Sequence, residues 1–244
     1  QRMLQRIVDE ELLQVKAVVD LAPANACGIE DIEVYSDESR QHVRYTIHTL
    51  RQQHRKPQGA PNRSLADYVA PRGTSDYAGA FAATAGIGLD ALVAEYDKDN
   101  DSFSVILAKI LADRLAEACA ECLHVRVRTD LWGYAPDEAL DARELFAVKY
   151  RGIRPAPGYP ACPDHTEKAP LLQSLGDEPG TGISLTENGA RSPAASVCGY
   201  YFAHPEAKYF GVTALGSDQL RDYARRKGFS EEQARQWLGY LVVD

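Results

Sequence analysis

Apolar residues near the start of the chain recur at helical spacing. Leu4, Ile7, Val8, Leu12, Val15 and Val19 are interleaved with Asp9, Glu10, Glu11 and Lys16, which predicts an amphipathic helix over 2–20, ended by Pro23 and Gly28. Two strand-like runs follow, over 29–35 and 42–50; in the second, Val43, Tyr45 and Ile47 alternate with polar neighbours. Residues 52–63 are polar, basic and broken by Pro57, Gly59 and Pro61, the pattern of an exposed connection. Residues 76–84 are small and apolar enough for a buried strand. Ile106, Ile110, Leu111, Leu115, Cys119 and Leu123 then build a long helix over 105–128.

In the second half, Asp164 and Glu167 have capping-box spacing ahead of a short helix that runs through Leu175, with Pro170 inside it. Residues 176–192 read as loop. Two aromatic and β-branched runs, 196–203 and 208–215, flank His204-Pro205-Glu206-Ala207 and predict a hairpin. Two helices close the chain, one over 217–227 stopped by Gly228, the other opened by Ser230 and Gln233 at capping-box spacing. Strands in adjacent pairs with irregularly placed helices predict an α+β fold with mainly antiparallel ladders.

Composition narrows the function classes. With 45% hydrophobic and 25% charged residues, the chain of 244 residues can build a core. The net charge of -8 argues against a nucleic-acid partner, because proteins that track phosphates present an excess of clustered Lys and Arg. No apolar run approaches the roughly 20 residues that span a bilayer, so no membrane segment is expected and a cytoplasmic location is. Five scattered cysteines, an odd number, suit reduced thiols.

Several motifs hint at chemistry without completing it. Gly86-Ile87-Gly88-Leu89-Asp90-Ala91 fits the dinucleotide fingerprint, which needs a parallel βαβ context that this region does not predict. Cys119 and Cys122 lie within a predicted helix with no second pair, and Cys162 with His165 makes only half a ligand set. No metal is expected.

Residues 150–168 carry more information. Four prolines between Pro155 and Pro163 fix φ and remove donors, giving an ordered, irregular wall whose remaining polar groups are held ready at little entropic cost. Gly158 permits close approach of a ligand or another backbone. Arg154 offers a planar fork suited to a carboxylate, and Tyr159 an aromatic plate. The residue types leave two roles open for this pair, ligand binding or pairing with a nearby acid and simple packing.

The run Tyr150-Arg-Gly-Ile-Arg-Pro-Ala-Pro-Gly-Tyr-Pro-Ala-Cys-Pro-Asp-His-Thr-Glu-Lys168 resembles the signature of the activation domain of cobalamin-dependent methionine synthase. Leu65-Ala-Asp-Tyr-Val-Ala-Pro71, Ala112-Asp-Arg-Leu-Ala-Glu-Ala118, Trp132-Gly-Tyr-Ala-Pro136, Gly199-Tyr-Tyr-Phe-Ala-His-Pro205 and Asp222-Tyr-Ala-Arg-Arg-Lys-Gly228 resemble that family in the same order. The resemblance implies a single C-shaped domain over 1–244 with a bent, mainly antiparallel sheet. It implies binding of S-adenosylmethionine and docking on a cobalamin-binding domain, where cob(II)alamin is reductively methylated with an electron from flavodoxin or an equivalent reductase. Carried over by position, Arg154 would hold the ligand carboxylate, Ala156 and Gly158 would border the ligand, and Glu117 would receive its amino group. Asp113 would face the histidine of the cobalamin domain, Tyr159 the corrin, and Tyr209 and Phe210 the adenosine.

Two departures from the family stand out. An acidic residue in a family N-terminal stretch has no counterpart before residue 20, and a second acid corresponds to Val148. Together with a first residue that is not Met, these lead to the expectation of a fragment of a larger enzyme, unable by itself to make methionine from homocysteine. The competing expectation is a stand-alone module that binds S-adenosylmethionine or a cobalamin protein without catalysis of its own.

Overall fold

The computed structural model describes residues 1–57, 59–176 and 181–243. After helix α1 (Arg2–Asp9) come strands β1 (Gln14–Cys27), β2 (Asp31–Tyr35), β3 (Val43–His48) and β4 (Tyr77–Ile87). Helices α2 (Leu89–Lys98), α3 (Ser102–Arg126), α4 (Ala142–Phe146) and α5 (Lys168–Ser174) follow. The two-residue strands β5 (Ser184–Leu185) and β6 (Arg191–Ser192) precede β7 (Ser196–Tyr201), and α6 (Ser217–Lys227) and α7 (Glu231–Leu238) end the chain. Five strands form one antiparallel sheet in the order β3-β2-β1-β4-β7. The α+β architecture is as the sequence predicts. No helix among the described residues is long and apolar enough to cross a membrane.

The predicted helix over 2–20 is half right. α1 stops at Asp9, Glu11 turns the chain at φ +51°, and residues from Gln14 enter the centre of the sheet. The cluster of β-branched Val15, Val18 and Val19 favours a strand, and pairing of Gln14 to Pro23 with β4 supplies the ladder. Pro23 sits inside this strand without breaking it. The Ala24 amide donates toward β4, to the Asp76 carbonyl at 2.9 Å, so position 23 faces the β2 side, where the register begins only at Ala24 with Val34. The missing donor falls where the ladder has run out.

Helix α3 packs across β4, β7 and β1. Its buried face is Ala108, Ala112, Ala116, Ala120 and His124, at four-residue spacing, whereas Ile106 and Ile110 of the predicted apolar face are exposed. Small residues win this position because the side of β4 that faces α3 carries the buried Ala83 and Ala85 in line with Phe81, which itself packs with Ala120. A larger side chain on either surface would push helix and sheet apart.

The predicted hairpin does not form. The edge of β7 is completed instead by the proline wall: Ile153 and Phe202 exchange two backbone bonds at 3.0 Å, and the Tyr200 amide donates to the Pro155 carbonyl at 2.9 Å. Residues 208–215 run alongside the wall, with the Val212 amide donating to the Pro160 carbonyl at 2.8 Å and Leu215 bridging to the tail at Val242. Within the segment read as loop, β5 and β6 pair with each other, while 177–180 lie outside the described residues. The Gly86-x-Gly88 motif does occupy a strand-to-helix turn, but in an antiparallel sheet. A Cβ on Gly88 would come within 2.2 Å of the Leu12 carbonyl oxygen, and one on Gly86 within 2.3 Å of Pro193. Packing of neighbouring chain, not a pyrophosphate, accounts for both.

Candidate functional site

Three segments outside the sheet line a cavity of about 390 Å³. α3 contributes Glu117, the proline wall contributes Arg154, Ala156 and Tyr159, and the segment after β7 contributes Tyr209 and Phe210. Six of the eight predicted site residues therefore meet at one opening. Asp113 lines an adjoining depression shared with Glu117 and Tyr159. Gly158 does not border either space. Its φ is +90°, and a Cβ there would lie 2.5 Å from the His165 ring, so this glycine makes room for an imidazole, not for a ligand. Lys168 holds that ring in place through a contact of 2.7 Å between Nζ and Nδ1, and donates to the Gly189 carbonyl at 2.8 Å. Burial, then the charge of Lys168, lowers the pKa of His165, which suits a neutral ring that accepts from the ammonium.

Arg154 is already in an ion pair. Its Nη2 donates to Glu121 Oε2 at 2.5 Å and its Nη1 to Glu121 Oε1 at 3.1 Å, while Nη1 also reaches the Tyr150 hydroxyl and His124 Nδ1 at 3.1 Å. Of the two readings left open by the sequence, pairing with an acid is present, and the same guanidinium also lines the cavity. Burial disfavours its charge, but Tyr150 and Glu121 outweigh that and hold the pKa above the ordinary value. The Arg154 backbone amide donates to the Tyr209 hydroxyl at 3.0 Å, tying the aromatic side of the cavity to its basic side.

The support beneath Arg154 is aromatic. Phe81 at the cavity stacks on Tyr201 with centroids 4.7 Å apart, Tyr201 stacks on His124 at 5.1 Å, and His124 meets Tyr150 edge-on at 5.0 Å. Burial, then Arg128 and Arg154, pushes the pKa of His124 down to about 2, so the ring is neutral near neutrality and can accept from Arg154. Arg128, fully buried, makes a two-pronged pair with Glu138 at 2.8 and 2.6 Å and lies over the Tyr150 ring.

Glu117 pairs with Arg114 at 3.2 Å on the exposed rim, an interaction of about 0–1 kcal/mol that a ligand cation can displace. Tyr159, 54% exposed, stands at the mouth. Sequence reasoning missed Glu121, whose signal was its position one turn beyond Glu117. It also missed Arg191, which borders both spaces from a segment read as loop.

Among the described residues no three His, Cys, Asp or Glu side chains gather closely enough to hold a metal. Cys122 is exposed and Cys162 buried.

Val148 lies outside the cavity, 45% exposed, and ends the turn after α4 at φ +54°. That conformation costs a β-branched residue about 1–2 kcal/mol, and glycine is the usual occupant of the position. Val148→Gly is expected to gain about 0.5–1 kcal/mol after the entropy of the unfolded glycine is set against the relief. The Tm should rise by about 1–4 °C; a lower Tm would show that packing of the valine matters more than its backbone.

The family model described as "Vitamin B12 dependent methionine synthase, activation domain" matches residues 1–228. Among solved structures, the crystal structure of the MetH reactivation domain bound to AdoHcy is similar, with a TM-score of 0.95 and 50% sequence identity, over 100% of this chain and 75% of that one. The family match takes in the first 28 residues as well as the signature run, and the fold agrees along the whole chain. The chain belongs to the family of vitamin B12-dependent methionine synthase activation domains.

Proposed function

We propose that the cavity binds S-adenosylmethionine and that the surface around Tyr159 and Asp113 docks, in the cytoplasm, on the cobalamin-binding domain of methionine synthase. The observation that carries this reading is the meeting of Arg154 and Glu117 at one cavity whose remaining lining, apart from Arg191 and Cys198, is aromatic and aliphatic. An α-amino acid carries a carboxylate and an ammonium, and opposite charges at two fixed points select that pair. Tyr209 and Phe210 offer ring faces for a purine. The match to a domain bound to AdoHcy, the demethylated form of the same ligand, supports it.

In this reading residues 1–244 act as one domain. Arg154 anchors the carboxylate, Glu117 exchanges Arg114 for the ligand ammonium, and Ala156 borders the chain between them. Asp113 stands one turn before Glu117 on α3, in the depression next to the cavity, where a docked domain would meet it. Tyr159 covers the mouth and faces the incoming corrin. The bound sulfonium supplies the methyl group for reductive methylation of cob(II)alamin, with an electron from flavodoxin or an equivalent reductase.

Calorimetric titration with S-adenosylmethionine tests the binding step. The docking step is tested by mixing the chain with a cob(II)alamin-loaded cobalamin domain, reduced flavodoxin and S-adenosylmethionine, and following the methylcobalamin spectrum. Binding without methylation in that mixture would favour a ligand-holding module with no catalysis of its own.

A further inference from the structure

The acids on α3 do not stop at the two already assigned. Asp113, Glu117 and Glu121 follow at four-residue spacing, which places them along one side of the helix. Glu121 meets Arg154, and does so end-on, with each carboxylate oxygen taking one Nη atom. His124 and Tyr150 take further bonds from Nη1. Among the described residues, the side-chain bonds of this guanidinium therefore all run from its Nη end. Glu121, His124 and Tyr150 lie outside the cavity lining, whereas Arg154 belongs to it.

A guanidinium is planar and carries five donors in a rigid fork. With its end fixed to α3, the edge that contains Nε is what remains for a ligand carboxylate. The geometry points to Glu121 as a positioning residue, which clamps the Nη end of Arg154 and so presents the Nε edge to the carboxylate of the bound amino acid. This inference rests on the cavity being the S-adenosylmethionine site. A Glu121 that served as a stand-in for the ligand would have to release Arg154 on binding while only 22% of its side chain is exposed. Leaving a largely buried charge without its partner is strongly unfavourable, so the clamp is the better account.

Glu121 also carries negative charge, and a role through charge alone can be separated from positioning. S-adenosylmethionine and its decarboxylated analogue differ by the carboxylate, and the analogue is the more cationic. Loss of a nearby negative charge weakens the analogue at least as much, whereas loss of Arg154 positioning weakens only the ligand that has a carboxylate.

The test is a set of titrations of the wild-type chain, Glu121→Ala and Glu121→Gln with both compounds, accompanied by melting curves. The wild type should prefer S-adenosylmethionine over the analogue. Glu121→Ala should weaken S-adenosylmethionine about tenfold or more, as expected for a misdirected charge-assisted bond, and leave the analogue within about twofold, so that the preference collapses. Glu121→Gln, which keeps one acceptor for the fork and is the variant to rely on if alanine does not fold, should lie between. Equal weakening of both compounds, or greater weakening of the analogue, overturns the proposal in favour of charge; tighter binding of S-adenosylmethionine overturns it in favour of a competing carboxylate. A wild type that binds neither compound, or does not distinguish them, removes the parent reading of the site.

Discussion

Arg154→Ala is expected to weaken S-adenosylmethionine binding about 30- to 1000-fold and to lower the Tm of the chain at the same time. The first effect follows from stranding a partly desolvated ligand carboxylate, at about 2–4 kcal/mol. The second follows from the pair with Glu121, each side chain of which is about one-fifth exposed; without the guanidinium, that carboxylate has no ion-pair partner left among the described residues and must relax toward solvent. The two effects come apart in the double variant Arg154→Ala with Glu121→Ala, which should regain stability without regaining affinity. Arg154→Lys should restore only part of the binding, because one ammonium cannot serve Glu121 and a ligand in the two-pronged manner of the fork. A folded Arg154→Ala protein with an unchanged dissociation constant would remove Arg154 from the ligand site and leave it as a partner of Glu121 alone.

The fold class and most elements could be read from hydrophobic periodicity, and the misses share a physical cause. Residues 14–20 satisfy the helical and the strand period together over so short a run, and only pairing with β4 decides between them. Residues 208–215 have strand composition, but the β7 edge they would have joined is occupied by Ile153 and Pro155, and no local pattern reports such competition between distant segments. The exposed Ile106 and Ile110 illustrate the same limit: apolar spacing marks α3 as a helix, while close packing selects its alanines for the buried side. At the site, the signature run and its aromatic partners could be found through residue type and resemblance. Glu121 could have been found from spacing alone, as the next acid one turn on. The work of Gly158 could not, because it depends on where His165 points.

The signature run also carries a second structural duty, and Lys227→Met is expected to expose it by costing about 3–5 kcal/mol, or roughly 6–20 °C in Tm. Asp164 and Glu167 have capping-box spacing, but only Asp164 acts as a cap, accepting from the Thr166 amide at 2.7 Å. Glu167 turns inward and accepts from Lys227 of α6 at 2.6 Å, while Lys227 also donates to Asp164 at 3.1 Å and Thr166 at 2.6 Å. The Tyr223 hydroxyl adds a bond to Asp164 at 2.6 Å. One ammonium thus serves two carboxylates, none of the three side chains more than 7% exposed. Burial raises the pKa of Glu167 despite Lys227, whereas for Asp164 burial is outweighed by Lys227 and the Thr166 and Tyr223 bonds, which hold it below its ordinary value. Without Lys227 both acids lose their cation and bind protons more tightly in the folded state than in the wild type. A folded state that takes up protons gains stability as the pH falls, so the deficit of Lys227→Met should be largest near pH 8 and shrink toward pH 5. Glu167→Gln should restore part of the loss in the Lys227→Met background, since it removes one of the two stranded charges. Melting curves of the wild type, Lys227→Met and the double variant across this range check the argument, and a Lys227→Met protein that melts within about 2 °C of wild type at every pH would mean that the buried triad does not hold α6 to the wall of the site.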